Sequence, residues 1–196
     1  MSFDEETIPE PTPQDLAIWG RISTHAEFGE ATADWLTRKH PYYPTYLSPG
    51  PAAESADLIE GLATINRLGF VTDSSQPGVP VDDAGSGQRA YVTGYCDEAT
   101  AETIASALRF SDLIVLHFSP DSLGDGSIVV STDEGEEFTW VGRRDSISAA
   151  EGYRERAGDS LADLILASWE LHIIDPAWGR NDRLIPALLH ALGADS

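Results

Sequence analysis

The stretch AESADLIEGLATINRLGFVTDSSQP, residues 53–77, decides the fold class. Leu58, Leu62 and Ile65 fall at i, i+4 and i+7, which puts them on one face of a helix over residues 53–68. Gly69 stands where a C′ residue ends such a helix. Phe70-Val71-Thr72 then reads as a short strand, and Ser74 opens a polar, glycine-rich surface loop that runs to Gly87. A helix that gives way to a strand at a glycine is the repeating unit of an α/β protein.

The flanking sequence continues the alternation. Gln88–Tyr95 has strand periodicity, Asp97 caps a helix that runs to about Phe110, and Leu113–Phe118 and Ser127–Ser131 are short apolar strands. The acidic turn Asp133–Glu137 separates the latter from Phe138–Val141, which can pair with it as a hairpin. A helix from Ser148 to about Trp169, a strand Glu170–Ile174 and a last helix carrying Leu184, Leu188 and Leu192 follow, with Pro186 tolerable only in the first turn. Upstream, residues 27–39 read as a helix, and His40–Pro51 as an extended connector with four prolines. Residues 1–13 read as a disordered acidic, proline-rich segment, 14–45 as a helical segment and connector, and 46–196 as the main domain. The expected fold is α/β (α+β): a single domain with a mixed β-sheet flanked by helices.

Composition excludes several functions. With 33 Asp and Glu against 12 Lys and Arg in 196 residues, the formal charge is −21, and Lys39 is the only lysine. Nucleic-acid phosphates and anionic lipid surfaces both require clustered basic residues, so neither partner is expected. No run of about 18 apolar residues occurs, and the N-terminus lacks a signal-peptide pattern, so a cytoplasmic protein is expected. Cys96 is the only cysteine and cannot form an internal disulfide or a thiolate metal site. The acidity serves either solubility or a partner with a basic surface, and its distribution discriminates the two.

Phosphate-loop, dinucleotide, nucleophile-elbow and zinc-protease motifs are absent, and the five histidines lack ligand spacing. His117 and His172 lie in apolar strand runs and read as hydrogen-bonded structural residues. No metal is assigned and no cofactor is required. One polar block stands out: Glu54-Ser55 at the helix start and Thr72-Asp73-Ser74-Ser75-Gln76-Pro77 after the strand. A helix N-terminus beside hydroxyls could hold a small molecule's carboxylate, with Glu54 taking an amine or ribose hydroxyls. The plainer reading is that these side chains cap backbone groups.

At this block the sequence resembles the C-terminal regulatory domain of eukaryotic methylenetetrahydrofolate reductase. The resemblance runs from Glu54-Ser55 through Asn66-Arg67-Leu68-Gly69-Phe70-Val71-Thr72 to Ser75-Gln76-Pro77, and continues in order through Gln88–Val92, Asp112–His117, Thr139-Trp140 and Trp169–Pro176. It is also similar to small actinobacterial or phage proteins sharing the Asn-Arg-x-Gly-Phe-x-Thr and Ser-Gln-Pro signatures. The regulatory domain binds S-adenosylmethionine or S-adenosylhomocysteine. The resemblance therefore implies a ligand site at Glu54, Ser55, Thr72, Ser75, Gln76 and Thr139, with Ser55 in place of a threonine. A catalytic barrel of roughly 250 residues does not fit in this chain, so no reductase activity or flavin is expected.

Three functions compete. The first is a small-molecule module for S-adenosylmethionine or a related nucleoside. The alternative is an acidic interaction protein of the inhibitor, decoy or anti-defence type, which keeps the fold without the ligand. The last is an enzyme with Glu54 or Asp73 as general base, for which the sequence supplies no nucleophile–base set.

Overall fold

The computed structural model describes residues 10–46, 50–122, 124 and 126–194. Two helices begin on the same device. Thr12 starts α1 (Pro13–Trp19) and Thr24 starts α2 (His25–Leu36), each accepting from the N3 backbone N–H while the N3 carboxylate, Asp15 or Glu27, accepts from the cap's own N–H. Order therefore begins before residue 13, where a disordered end was expected; residues 1–9 of that segment lie outside the described residues.

The helix expected over residues 53–68 begins as a 3-10 turn, Ala53–Leu58, whose N-cap Ala52 offers no side-chain cap, and continues as α3 (Ile59–Arg67). Gly69 follows at φ +95°. Strand β1 (Val71–Gln76) is longer than expected and takes in Ser74-Ser75-Gln76, which had read as loop. Their polar side chains are tolerated because, among the described residues, β1 pairs only with β2 (Gly87–Cys96). Asp97 caps α4 (Glu98–Leu108), and β3 (Ile114–Phe118), β4 (Ile128–Asp133) and β5 (Glu136–Val141) follow. The single helix expected from Ser148 is two, α5 (Ser146–Ala157) and α6 (Asp159–Ala167), broken at Gly158, whose φ of +103° no helix accommodates. Strand β6 (Trp169–Trp178) and α7 (Leu184–Ala191), with Pro186 in its first turn, complete the chain.

The strand order is β3-β6-β2-β4-β5, with β1 also paired to β2, and every ladder is antiparallel. The α/β fold class is therefore as expected, but the sheet is not mixed. The crossover β2–α4–β3 does leave its two strands running in the same direction. β6 inserts antiparallel between them, so no parallel neighbours meet.

Cross-strand registry gives the sheet two different faces. Ala90 and Val92 of β2 share one face with Leu171 and Ile173 of β6, and this face is buried with Leu62, Ile65, Ile104 and Leu188 of the helices. Tyr91, Thr93 and Tyr95 share the other with Ile174, His172 and Glu170. That second face is the polar one. Helices α1 and α2 belong to the same core rather than to an appendage: Phe28 meets Tyr153 edge-on at 5.6 Å, and Trp19 meets Tyr43 at 4.7 Å.

Asn66 ties α3 to β1. Its amide donates to Leu62 O and Thr72 Oγ1, both at 2.8 Å, and its carbonyl accepts from Thr72 N at 3.0 Å, all in a fully buried setting. Replacing Asn66 with alanine leaves two buried backbone groups and a hydroxyl without this partner, an expected loss of about 2–3 kcal/mol. Urea unfolding checks this, and a loss under about 0.5 kcal/mol would remove Asn66 from the account of the α3–β1 joint. Among the described residues, no helix is long and apolar enough to cross a membrane.

Candidate functional site

A β-bulge creates the site. On β1, Thr72 pairs with Gly94 and Ser74 with Thr93, so Asp73 is an extra residue with no partner of its own in the ladder. The close approach of β1 to β2 here requires a glycine, since a Cβ on Gly94 would lie 2.2 Å from Val71 O. Thrown out of register, Asp73 stands on the wall shared by two cavities.

The smaller cavity is a slot of about 70 Å³ on the outer side of β1. Trp35, Tyr43 and Tyr46 form its aromatic wall, with ring centroids 4.8 Å (Trp35–Tyr43) and 5.1 Å (Trp35–Tyr46) apart. Ser55, Thr72, Ser75 and Gln76 supply polar groups opposite. Trp35 is 6% exposed, and its indole N–H has no acceptor among the described residues. A buried donor left without a partner is uncommon and marks a place where a ligand atom can be received.

The larger cavity is an open cleft of about 750 Å³ on the polar face of the sheet. Tyr91, Thr93, Tyr95, Glu170 and His172 line it from the central strands, Thr139 and Trp140 from β5, and Asp145 and Ser148 from the start of α5. This volume lies in the range of small-molecule sites; the slot alone does not.

Buried hydrogen bonds fix the cleft floor. The Glu170 carboxylate accepts from the backbone N–H groups of Asp145 and Ser146 at 3.1 Å, which caps the N-terminus of α5. It also accepts from His172 Nε2–H at 2.8 Å, while His172 Nδ1 accepts from Gly142 N–H at 2.8 Å. Both ring nitrogens are thus engaged. His172 is the structural histidine the sequence suggested, with its tautomer set by its partners. Arg144 is committed as well, donating to the carbonyls of Pro120, Ser122 and Leu166. Arg143 is exposed at the cleft edge, where its charge reaches Asp145.

Asp73 keeps solvent-accessible surface on the wall of the two cavities, while many protein atoms surround its carboxyl. Burial, together with the charges of Glu170 and Asp145, pushes its carboxyl up to about 6. Burial and Glu170 also raise Asp145. Burial raises the phenols of Tyr91 and Tyr95, keeping both as neutral hydrogen-bond donors, and the Tyr91 hydroxyl lies 3.2 Å from Ser74 Oγ. Carboxylates crowded in this way favour a cation as their neighbour.

The six sequence-derived residues are divided by this geometry. Ser55, Thr72, Ser75 and Gln76 gather at the slot, while Thr139 lines the cleft and meets Gln76 at a neighbouring groove. Glu54 lines neither cavity and is exposed, because a 3-10 turn rotates successive side chains by about 120° and only Ser55 of the pair points inward. Asp73, named in the sequence as a member of the polar block and as an alternative general base, lines both cavities, as does Ser74. In the sequence Trp35 can be read as lining a pocket, but core packing, the usual role of such residues, is the preferred reading. Glu170 and Asp145, 25 residues apart, had no motif to join them. No group of three or more His, Cys, Asp or Glu among the described residues could hold a metal ion.

Over residues 14–195 the chain matches the family model described as Domain of unknown function (DUF6919), and it belongs to that family. No curated protein matches the chain.

Proposed function

For this member of the DUF6919 family, we propose a small-molecule binding module whose ligand carries an organic cation, in the class of S-adenosylmethionine or a related nucleoside. The observation that carries this reading is the position of Asp73, lifted by the bulge to the wall where the aromatic slot and the acidic cleft meet. The ligand body lies in the cleft, where there is room for a nucleoside, with its cationic centre against Asp73. A substituent of a few atoms enters the slot, accepting from the Trp35 N–H beside the Ser55, Thr72 and Ser75 hydroxyls. Arg143 at the edge can meet a carboxylate of the ligand. The resemblance to the methylenetetrahydrofolate reductase regulatory domain supports the same ligand class, and no catalytic role is assigned to the module.

Calorimetric titration with S-adenosylmethionine and S-adenosylhomocysteine at pH 7.5 tests the proposal. The sulfonium compound is expected to bind at least tenfold more tightly than its neutral thioether product, because only the former places a fixed positive charge at Asp73. Its affinity should fall as pH drops below about 6 and Asp73 takes up a proton. No heat and no thermal shift with either compound would remove this ligand class. Equal affinities would remove the role given to Asp73.

A further inference from the structure

The sheet ends at β5, and no strand pairs with its outer edge among the described residues. Native proteins usually blunt such an edge with lysine or proline, or cover it. Here the edge reads Glu136-Glu137-Phe138-Thr139-Trp140-Val141, with Phe138 67% and Trp140 49% exposed. A groove of about 590 Å³ runs beside Phe138, walled by Val79, Pro80 and Tyr91. Ser131 also lines it. That side chain is 6% exposed, and its hydroxyl has no partner among the described residues.

The carboxylates near this groove are gathered rather than dispersed. Asp82 Oδ1 accepts from the N–H groups of Ala84 and Ser86, which closes the loop at residues 82–86. Ser86 Oγ donates to Asp133 Oδ1 and accepts from Glu134 N–H, and Thr132 Oγ1 donates to Gly85 O, so that loop is fastened to the β4–β5 turn. Asp82, Asp83, Asp133, Glu134, Glu136 and Glu137 are all exposed, and none is in an ion pair among the described residues. Solubility alone requires neither this concentration of charge nor an open apolar edge beside it.

We propose that the β5 edge and its groove dock an extended, basic segment of a partner polypeptide. The segment adds to the sheet through backbone hydrogen bonds, lays the aliphatic stems of lysine or arginine on Phe138 and Val79, and sets their cations against the carboxylate rim. The buried Ser131 hydroxyl receives one polar group of the segment. Charge selects this occupant over a second copy of the chain, since edge-to-edge pairing would press one acidic rim against another. Tyr91, Thr139 and Trp140 are shared with the cleft at Asp73, whereas Phe138, Val79 and the carboxylate rim are not among its lining residues.

The test uses three labelled peptides with the full-length protein: an alternating Lys-Val octapeptide, the same peptide N-methylated at alternate residues, and a Glu-Val octapeptide. Fluorescence anisotropy in low salt should show binding of the first, at least tenfold weaker binding of the N-methylated form at unchanged charge, and none of the acidic one. Binding of the Lys-Val peptide should slow hydrogen exchange at residues 136–141 and weaken at least tenfold in the variant Phe138→Lys, whose circular dichroism should match the parent because Phe138 lies outside the core. Absence of binding, equal binding of the N-methylated peptide, unaltered exchange in β5 or an undisturbed Phe138→Lys variant would each overturn the proposal.

Discussion

Replacing Glu170 with alanine is expected to remove about 4 kcal/mol of folding stability, a large share of the roughly 5–15 kcal/mol that holds a domain of this kind together. The carboxylate is 4% exposed and receives hydrogen bonds from the N–H groups of Asp145 and Ser146 and from His172. Its removal strands all three donors. One of them, Ser146, is fully buried, so water cannot replace every lost bond. Glu170→Gln keeps one acceptor oxygen and should cost about half as much. Urea unfolding of the two variants measures the effect, and an alanine variant within 1 kcal/mol of the parent would show that the cleft floor does not depend on this network. A second readout separates the site from the scaffold. With the Glu170 charge gone, the titration of Asp73 should move down toward the ordinary carboxylate range.

Asp73→Asn is expected to act in opposite directions on binding and on stability. Binding of S-adenosylmethionine should weaken at least a hundredfold, because the cleft loses the charge placed nearest the ligand's cation. The unliganded protein should become more stable at neutral pH. Asp73 has a folded-state value of about 6 against 3.8 for the unperturbed carboxyl, so its favourable contribution is complete below pH 3.8 and is lost as pH rises through 6. The melting temperature of the asparagine variant minus that of the parent should therefore be near zero at pH 4, climb between pH 4 and 6, and level off above about pH 7. A difference that stays flat across that window would mean that Asp73 is an ordinary solvated carboxylate. A site that holds an ionised group at a cost to the empty fold is the common signature of stability given up for function.

The same residues explain why the fold could be read further than the site. The helix-to-strand passage through Gly69 and the Asp97 cap are local devices, and their sequence signals survive in the structure. The break at Gly158 was missed because apolar residues continue in register on both sides of it, and only the positive φ reveals that two helices meet there. Ser74-Ser75-Gln76 read as loop because polar residues in an edge strand carry no alternation, yet the ladder to β2 holds them. Thr72 and Ser75 were found as candidates. That Thr139 lines a different cavity from them was not found, since it depends on the order in which distant strands pair.

The sequence by itself determined that this is an α/β domain of formal charge −21, with a polar block after its best-defined helix. Those properties follow from periodicity, capping and net charge, which act over a few residues or over the whole chain at once. Only the tertiary structure decided that the sheet is antiparallel, that Asp73 rather than Glu54 faces the cavities, and that six carboxylates from two separate turns gather beside an open strand edge. The physical reason is one of range. A bulge, a cleft and a charged rim arise from strand register and from contacts between residues tens of positions apart, and neither leaves a periodic trace in the chain.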